Sequence, residues 1–182
     1  MPPLPTPAAL ITTERLLLEP LRVEHAEEMA GLLDDDRLHE FTGGAPLTRD
    51  GLRRQYARQA AGRSADGAAS WLNWILRRRH DHVAVGYIQA TVPAVPPART
   101  AALAWMVGLA FQGQGYAREA SAAAMRTLSA DGINSFTARI HPEHAASIAL
   151  ARSLGFRPTS EWIDGETVWA AEFGRREPAA PS

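Results

Sequence analysis

The sequence predicts a mixed α/β fold in which helices pack against one central sheet. Three observations support this prediction. Segments with strand character alternate with segments of helical periodicity, residues 101–107 form a short apolar run, and a glycine-rich turn joins that run to a helix. The 182 residues are enough for one domain with a sizeable core and too few for two full domains.

Strands are predicted where short apolar or alternating runs are bounded by turn residues. They are expected at residues 15–21, 71–76, 83–92, 101–107, 136–140 and 168–173. The second and third of these form an antiparallel hairpin in this interpretation, because only a short polar turn separates them. The fourth is apolar at every position, so we expect it to be buried on both faces near the centre of the sheet.

Helices are predicted where apolar residues recur at helical spacing between start and stop signals. They are expected at residues 23–33, 48–62, 116–130 and 144–154. Thr48 is expected to cap the second helix, and glycines are expected to follow the third and fourth. Residues 1–9 and 175–182 are expected to be flexible ends, which leaves a single domain over residues 10–174.

Composition excludes several classes of chemistry and partner. The chain has no cysteine, which excludes disulfides, thiolate zinc sites and cysteine nucleophiles, and it has no lysine for a Schiff base. With 19 basic and 20 acidic residues, its charge gives no reason to expect nucleic acid or an anionic membrane as a partner. Since no apolar run is long enough to span a bilayer and no secretory signal is recognisable, the expected location is cytoplasmic.

The turn Gln112-Gly113-Gln114-Gly115-Tyr116-Ala117 lies between a predicted strand and a predicted helix. Small residues allow backbone N–H groups to approach an anion, and the start of a helix favours negative charge. The turn therefore predicts a pyrophosphate cradle, and the alternative is an ordinary tight turn that uses glycine for its positive φ. Neither the nucleotide P-loop nor the complete dinucleotide fingerprint is present.

Two polar residues lie at the start of the fourth predicted helix. His144 and Ser147 are one turn apart, so they fall on the same face as the apolar residues that should point inward. One interpretation is structural, with His144 capping the helix and Ser147 bonded back to the preceding turn. The other is that both residues contribute to a site together with the turn upstream.

These features resemble the general N-acetyltransferase (GNAT) superfamily. The resemblance rests on the order of elements, on Gln112-x-x-Gly115-x-Ala117 and on the segment from Ser147 to Gly155-Phe156. Thr13-Glu-Arg-Leu-Leu-Leu-Glu-Pro-Leu and Trp105-Met-Val are most similar to the branch that includes ribosomal-protein-alanine acetyltransferases. The resemblance implies a GNAT-like mixed central sheet with a splayed pair of parallel strands, flanked by about four helices.

The resemblance also implies acetyl-CoA as cosubstrate, bound where the parallel strands part. Its pantetheine arm would pair with the backbone of Met106 and Val107, and its diphosphate with the amides of the turn. The residues implied in binding are Met106, Val107, Gln112, Gly113, Gln114, Gly115, Tyr116, Ala117, His144 and Ser147. Family members usually carry Asn at the position of His144.

The chain departs from its relatives at three catalytic positions. Where relatives place a glutamate, a second carboxylate or a tyrosine acid, this chain has Ala102, Arg139 and Ala151. None of these side chains can donate or accept a proton in the reaction at neutral pH. The usual general base and acid are therefore missing from their expected places.

His141, His144 and Ser147 remain as candidate catalytic residues. We expect an amine to attack directly, with water relaying its proton to His141 or His144, and Ser147 hydrogen-bonding to the sulfur. A backbone N–H near Val107 is expected to polarise the thioester carbonyl. The residues His80 and His82 lack a third ligand at a suitable spacing, so no metal site is expected.

The sequence therefore predicts an enzyme that moves an acetyl group from acetyl-CoA to a primary amine in a ternary complex. The acceptor is expected to be a peptide N-terminus or a small-molecule amine, such as an amino acid, a polyamine or an aminoglycoside-like compound. The alternative is a catalytically reduced acyl-CoA-binding sensor or partner-binding module, and a third interpretation is an unrelated α/β protein with a fortuitous glycine turn. A monomer or homodimer is expected.

Overall fold

The structure, a computed structural model, describes residues 8–94 and 100–173. Most of the two expected flexible ends lies outside these residues, at 1–7 and 174–182. The last two residues of the expected amino-terminal arm are described. Ala8 is buried, and the carbonyl of Ala9 accepts a hydrogen bond of 2.8 Å from the indole of Trp74. This part of the arm packs against the core.

The described strands form one sheet of eight. They are β1 (Ile11–Thr12), β2 (Leu16–Pro20), β3 (Ala69–Arg78), β4 (Ala84–Pro93), β5 (Thr100–Val107), β6 (Ser135–Ile140), β7 (Arg157–Ile163) and β8 (Glu166–Glu172). Their order across the sheet is β1-β2-β3-β4-β5-β6-β8-β7. Among these neighbours β5 and β6 run parallel and the other pairs are antiparallel, so the mixed sheet is confirmed.

The helices follow the predicted periodicities. They are α1 (Ala26–Leu32), α2 (Arg49–Ala60), α3 (Tyr116–Ala130) and α4 (Ala145–Ser153), with single 3₁₀ turns at Val23–His25, Asp36–Leu38 and Leu109–Phe111. Thr48 caps α2 as expected, because its hydroxyl accepts a hydrogen bond of 3.1 Å from the N–H of Gly51. Within the described residues, no helix has both the length and the apolar character needed to cross a membrane.

Two hydrophobic layers hold the helices on opposite faces of the sheet. On one face α1 and α2 pack over β3 and β4, around a cluster that includes Met29, Leu52 and Ile75. On the other face α3 covers β4 and β5, and α4 packs beside it on β6. The larger cluster, which includes Phe136 and Phe156, fills this second layer.

The parallel strands β5 and β6 pair at one end and then part. Their register pairs are Thr100 with Ser135, Ala101 with Phe136 and Ala102 with Thr137. Both strands continue beyond this point, β5 to Val107 and β6 to Ile140. The splayed pair implied by the family resemblance is therefore confirmed, and it opens a cleft between the carboxyl-terminal halves of two central strands.

The expectation that residues 101–107 are buried on both faces is wrong. Ala101 and Leu103 are buried under α3, whereas Ala102 and Ala104 are exposed on the opposite face. The helices α1 and α2 lie over β3 and β4 and leave that part of β5 uncovered. Alanine counts as apolar in a sequence pattern but is small enough to be exposed at little cost, so the pattern did not distinguish the two faces.

The sequence analysis missed the short β1 and the edge strand β7. Every residue of β7 is exposed, and the strand pairs with β8. An exposed edge strand with charged residues and a proline lacks the apolar alternation on which strand prediction relies. A signal was nevertheless present, because Asp164-Gly165 is a typical hairpin turn and both residues adopt a positive φ, of 52° and 83°.

Candidate active site

The glycine-rich turn has the geometry of an anion cradle. Gly113 and Gly115 have φ values of 73° and 80°, and Gly115 is the N-cap residue of α3. The hydrogen bond from the N–H of Glu119 to the carbonyl of Gly115 begins the helical ladder. The N–H groups of residues 115–118 therefore have no helical carbonyl to bind, and they favour a negative charge in front of the helix.

The space in front of this turn is open. A Cβ atom placed on Gly113 would meet no heavy atom within 4 Å. A Cβ on Gly115 would lie 3.3 Å from Nη2 of Arg15, so this arginine borders the turn. An open turn with unpaired N–H groups and an adjacent guanidinium fits a diphosphate. The side chain of Tyr116 is buried in the core, so only its backbone faces this space.

Side chains of the turn, together with Arg15 just before β2, hold the cradle in shape. The side-chain amide of Gln112 donates to the carbonyl of Val107 at 3.0 Å, and that of Gln114 to the carbonyl of Ala110 at 3.3 Å. Nη1 of Arg15 donates to the carbonyl of Gln114 at 2.9 Å. The two glutamines expected in cofactor binding thus brace the turn with their side chains.

Arg15 is itself fixed by Glu119. Its Nε lies 2.7 Å from Oε2, and its backbone N–H donates to Oε1 at 2.8 Å. The hydroxyl of Thr13 also donates to Oε1, at 2.6 Å. Burial alone would raise the pKa of Glu119, but the hydrogen bonds from Thr13 and Arg15 outweigh it and lower that pKa. Glu119 therefore stays ionised and anchors the arginine beside the cradle.

Across the cleft, His144 and Ser147 lie at the start of α4. His144 is the N-cap residue, and its Nδ1 accepts a long hydrogen bond of 3.5 Å from the N–H of Ser147. The hydroxyl of Ser147 accepts a hydrogen bond of 3.3 Å from the indole N–H of Trp105 on β5. His144 therefore has the capping role that was considered for it. Ser147 links the two sides of the cleft through its contact with Trp105.

Phe41 brings the two candidate histidines together. Its ring stacks on that of His144 with a centroid distance of 4.7 Å and contacts that of His141 at 5.4 Å. Burial, and next the neighbouring His141, lower the pKa of His144, while Glu40 opposes the shift. His144 is therefore mainly in its neutral form at pH 7. Its Nδ1 accepts a hydrogen bond, so its proton lies on Nε2.

The three positions that depart from the family pattern supply no acid or base. Ala102 is exposed beside the cleft, and Ala151 is fully buried in α4. Arg139 is half-exposed and turned to the β7–β8 hairpin, 3.5 Å from Asp164 and 3.8 Å from Glu166. Among residues 8–94 and 100–173, no three histidine or carboxylate side chains are grouped to hold a metal ion.

The structure brings the predicted site residues to the two sides of one cleft. Met106, Val107 and the turn lie on the β5 side, and the candidate catalytic residues lie on the α4 side. Sequence reasoning missed the residues that support them, which are Arg15, Glu119, Phe41 and Trp105. Only Arg15 and Trp105 lie in segments that the family resemblance had singled out. Phe41 lies in an irregular loop whose pairing with His144 has no local signal.

Comparison with known proteins agrees with this geometry. Residues 15–157 match the family described as Acetyltransferase (GNAT) domain. No curated protein matches the chain in sequence.

Solved structures share the fold at low sequence identity. The acetyltransferase that modifies the N-terminal serine of ribosomal protein L7/L12 from Salmonella typhimurium is 18% identical, with a TM-score of 0.72, over 91% of this chain and 99% of that chain. Mycobacterium smegmatis RimJ, solved with a CoA disulfide, is 18% identical, with a TM-score of 0.71, over 86% and 81%. The microcin C7 self-immunity acetyltransferase MccE, solved with acetyl-CoA and AMP, is 15% identical, with a TM-score of 0.71, over 88% and 94%.

These neighbours establish the likeness of fold, and the family match covers more than half of the chain. The splayed strands, the glycine cradle and the family match lead to the same assignment. The chain belongs to the GNAT family, and it is an acetyl-CoA-dependent N-acetyltransferase.

Proposed function

We propose that this enzyme acetylates a primary amine, either a peptide N-terminus or a small-molecule amine, by direct attack in a ternary complex. The observation that carries the proposal is the parting of β5 and β6 beyond Ala102 and Thr137, with the cradle at the end of β5. The backbone of Met106 and Val107 borders the cleft at that end and would hold the pantetheine arm. The N–H groups at the start of α3 would hold the diphosphate.

Acetyl-CoA supplies an activated acyl group as its thioester. The neutral amine attacks the carbonyl carbon, a C–N bond forms, the C–S bond breaks, and the thiolate must gain a proton while the amine loses one. Ser147 would donate to the sulfur in this proposal. Its oxygen accepts a hydrogen bond from Trp105, which leaves its own hydrogen to donate. A backbone N–H near Val107 would stabilise the negative charge that develops on the carbonyl oxygen.

The two histidines have restricted roles in this proposal. Nδ1 of His144 accepts from Ser147, and Nδ1 of His141 accepts from the N–H of Glu143 at 3.3 Å. Neutral His144 therefore presents an Nε2–H donor. It can accept the amine's proton through water only when Nδ1 releases the long bond to Ser147. His141 is the second candidate acceptor, under the same condition, because its Nδ1 accepts from Glu143.

The alternative of a catalytically reduced sensor rests on the missing acid and base at Ala102, Arg139 and Ala151, and the comparisons with known proteins give it no support. The proposal also includes a cytoplasmic location and a monomeric or homodimeric state, in addition to the class of acceptor. Arg139 cannot replace the carboxylate that relatives carry, so the amine must reach the site in its neutral form or lose its proton to water and the histidines.

The test is acetyl-CoA binding by calorimetry, followed by thiol release with a panel of primary amines. Binding with amine-dependent release and an acetylated product identified by mass spectrometry would support the proposal. Binding without release from any amine would favour the sensor interpretation instead. The absence of binding would contradict the cradle and the transferase together.

A further inference from the structure

A cavity of about 90 Å³ lies between α2 and the sheet, on the face opposite α3. Met106 lines this cavity, and its side chain packs with the hydrophobic cluster under α1 and α2. The backbone of the same residue borders the cleft and is proposed to hold the pantetheine arm. In the proposed reaction, the cavity therefore adjoins the stretch of β5 at which the acceptor amine has to meet the thioester.

The wall of the cavity is mostly apolar. Besides Met106, four leucines line it from different segments: Leu21 follows β2, Leu33 follows α1, Leu47 precedes α2 and Leu52 lies in its first turns. A group that enters such a space loses its contact with water and gains contact mainly with carbon atoms. The free energy gained is favourable for an alkyl or thioether group and rises with its apolar area.

Amide side chains in the wall bond to their neighbours. The side-chain amide of Gln59 donates to Oε1 of Gln89 at 3.4 Å, and that of Asn73 donates to the carbonyl of Gln59 at 3.5 Å. The hydroxyl of Tyr56 is enclosed by protein, so a group in the cavity cannot reach it. A polar group that enters would have to displace the contacts of these amides, whereas an apolar group leaves them intact.

The wall also offers no negative charge. Among the described residues that line the cavity, the ionisable side chains are His39, Tyr56 and Tyr87. Burial raises the pKa of both tyrosines, so they are neutral at pH 7. An ammonium group in this space would lose its water without gaining a counter-charge. The cavity is therefore unsuited to a second amine on the acceptor.

Leu47 is an apolar side chain of this wall that the protein leaves uncovered. It is 45% exposed, whereas Leu21, Leu33 and Leu52 are each 9% exposed or less. Leu47 is thus the part of the wall that faces water, and an apolar group entering from solvent would cover it. Covering exposed apolar surface at the edge of an apolar cavity adds to the free energy of binding.

We infer that the cavity takes an apolar side chain of about four heavy atoms, such as an isobutyl or a thioether chain, carried by the acceptor amine. An apolar cavity of roughly 150 Å³ holds the six carbons of benzene, so a cavity of about 90 Å³ suits about four. This inference rests on the proposed function and selects within it. It favours amines that carry one alkyl or thioether chain and disfavours polyamines and aminoglycoside-like compounds, which carry further ammonium or hydroxyl groups.

The test compares amino-acid amides as acceptors, with acetyl-CoA saturating. Leucinamide and asparaginamide have nearly the same shape, alaninamide lacks the side chain beyond its first carbon, and lysinamide adds a second ammonium group. The expected kcat/KM for leucinamide is at least about tenfold higher than for asparaginamide or alaninamide, and lysinamide should be the poorest of the four. Any order in which leucinamide does not come first would overturn the inference.

The variant Leu47→Asp places a carboxylate where the apolar wall meets water. The ratio of kcat/KM for leucinamide to that for alaninamide should fall at least about fivefold, and the ratio for lysinamide to leucinamide should rise at least about fivefold. An acidic residue just before α2 suits the start of that helix, so the fold should be kept. Acetyl-CoA binding by calorimetry checks this.

Leu10→Asp is the matched control. Leu10 is also an exposed leucine, at 59%, and it precedes the edge strand β1, four strands away from β5. Its ratios should equal those of the wild type. Ratios that change equally in both variants would show an effect of charge alone and would contradict the role of Leu47 in the cavity.

The outcomes separate the inference from the proposed function. Acetylation of these amides without a preference for leucinamide, or a preference that Leu47→Asp leaves intact, contradicts the inference alone. If no amine of any kind is acetylated, the proposed function fails and the inference falls with it.

Discussion

The indole N–H of Trp105 donates a hydrogen bond of 3.3 Å to the hydroxyl of Ser147. This contact crosses the cleft, since Trp105 lies on β5 and Ser147 on α4. It fixes the serine oxygen as an acceptor on one side and leaves its hydrogen available on the other. The orientation of a candidate catalytic group is thus set by a residue from the opposite wall.

Replacing Ser147 by Ala should lower kcat about tenfold, with a smaller change in the KM for acetyl-CoA, because a donor to the leaving sulfur acts in the transition state. Ser153→Ala is the control on the same helix, where an exposed hydroxyl donates to the carbonyl of Leu150 at 2.7 Å. Thiol release measured at saturating amine compares the two. Equal rates for both variants would remove Ser147 from the mechanism.

Gly115→Val should abolish measurable acetyl-CoA binding. A side chain at a φ of 80° strains the backbone by roughly 1–2 kcal/mol, and its Cβ would crowd Arg15 at the cradle. Gly165→Val is the control, because this glycine has a φ of 83° in the β7–β8 turn and its Cβ would meet no atom within 4 Å. The control should lose a similar amount of stability on thermal unfolding and bind normally in calorimetry. Normal binding by Gly115→Val would contradict the cradle.

Arg15→Gln should raise the KM for acetyl-CoA about fivefold and change kcat by less than about twofold, because the arginine acts on binding rather than on the bond that breaks. Arg53→Gln is the matched control. Arg53 is similarly exposed and pairs with Glu27 at 2.6 Å, away from the cleft. Steady-state kinetics at varied acetyl-CoA make the comparison, and a KM that does not differ between the two variants would contradict the role of Arg15.

The pKa of His144 predicts how stability depends on pH. Burial lowers this pKa below its ordinary value of 6.5, so the unfolded chain binds a proton before the native chain does. The free energy of unfolding that depends on His144 is therefore fully present above pH 6.5 and is lost as the pH falls towards the native pKa. His25, whose pKa burial also lowers, acts in the same direction.

His144→Asn isolates that contribution, because asparagine can cap α4 but does not titrate. Denaturant unfolding between pH 5 and 8 should show a weaker loss of stability at acid pH in the variant than in the wild type. His144→Ala, which removes the cap as well, should be less stable by about 1 kcal/mol at pH 7.5. Identical pH profiles for the wild type and His144→Asn would contradict the lowered pKa.

Much of the fold could be predicted because its signals are local. The limits of α3 and the cap at Thr48 follow from residues within a few positions of each element. The exposure of Ala102 and Ala104 could not be predicted, since it depends on how far α1 and α2 extend over the sheet. The strand β7 was missed because an exposed edge needs no apolar pattern.

The candidate site, like the fold, could be predicted where its signals are local and not where it depends on contacts between distant segments. Gly113 and Gly115 could be identified from the sequence, because glycine is the residue that most readily adopts the positive φ that this turn requires. The contacts of Glu119 with Thr13 and of Phe41 with His144 join segments about a hundred residues apart, and a single sequence carries no record of such pairs.

The brief pairing of β5 with β6 leaves the sheet in two parts, β1 to β5 and β6 to β8, with few hydrogen bonds between them. Three register pairs at one end join the two parts, and the shared core behind α3 holds them together. A molecule bound between Met106 and α4 would therefore contact both parts of the sheet. If it pairs with the backbone of β5, it would also continue the hydrogen bonding of the sheet beyond the point where β5 and β6 part.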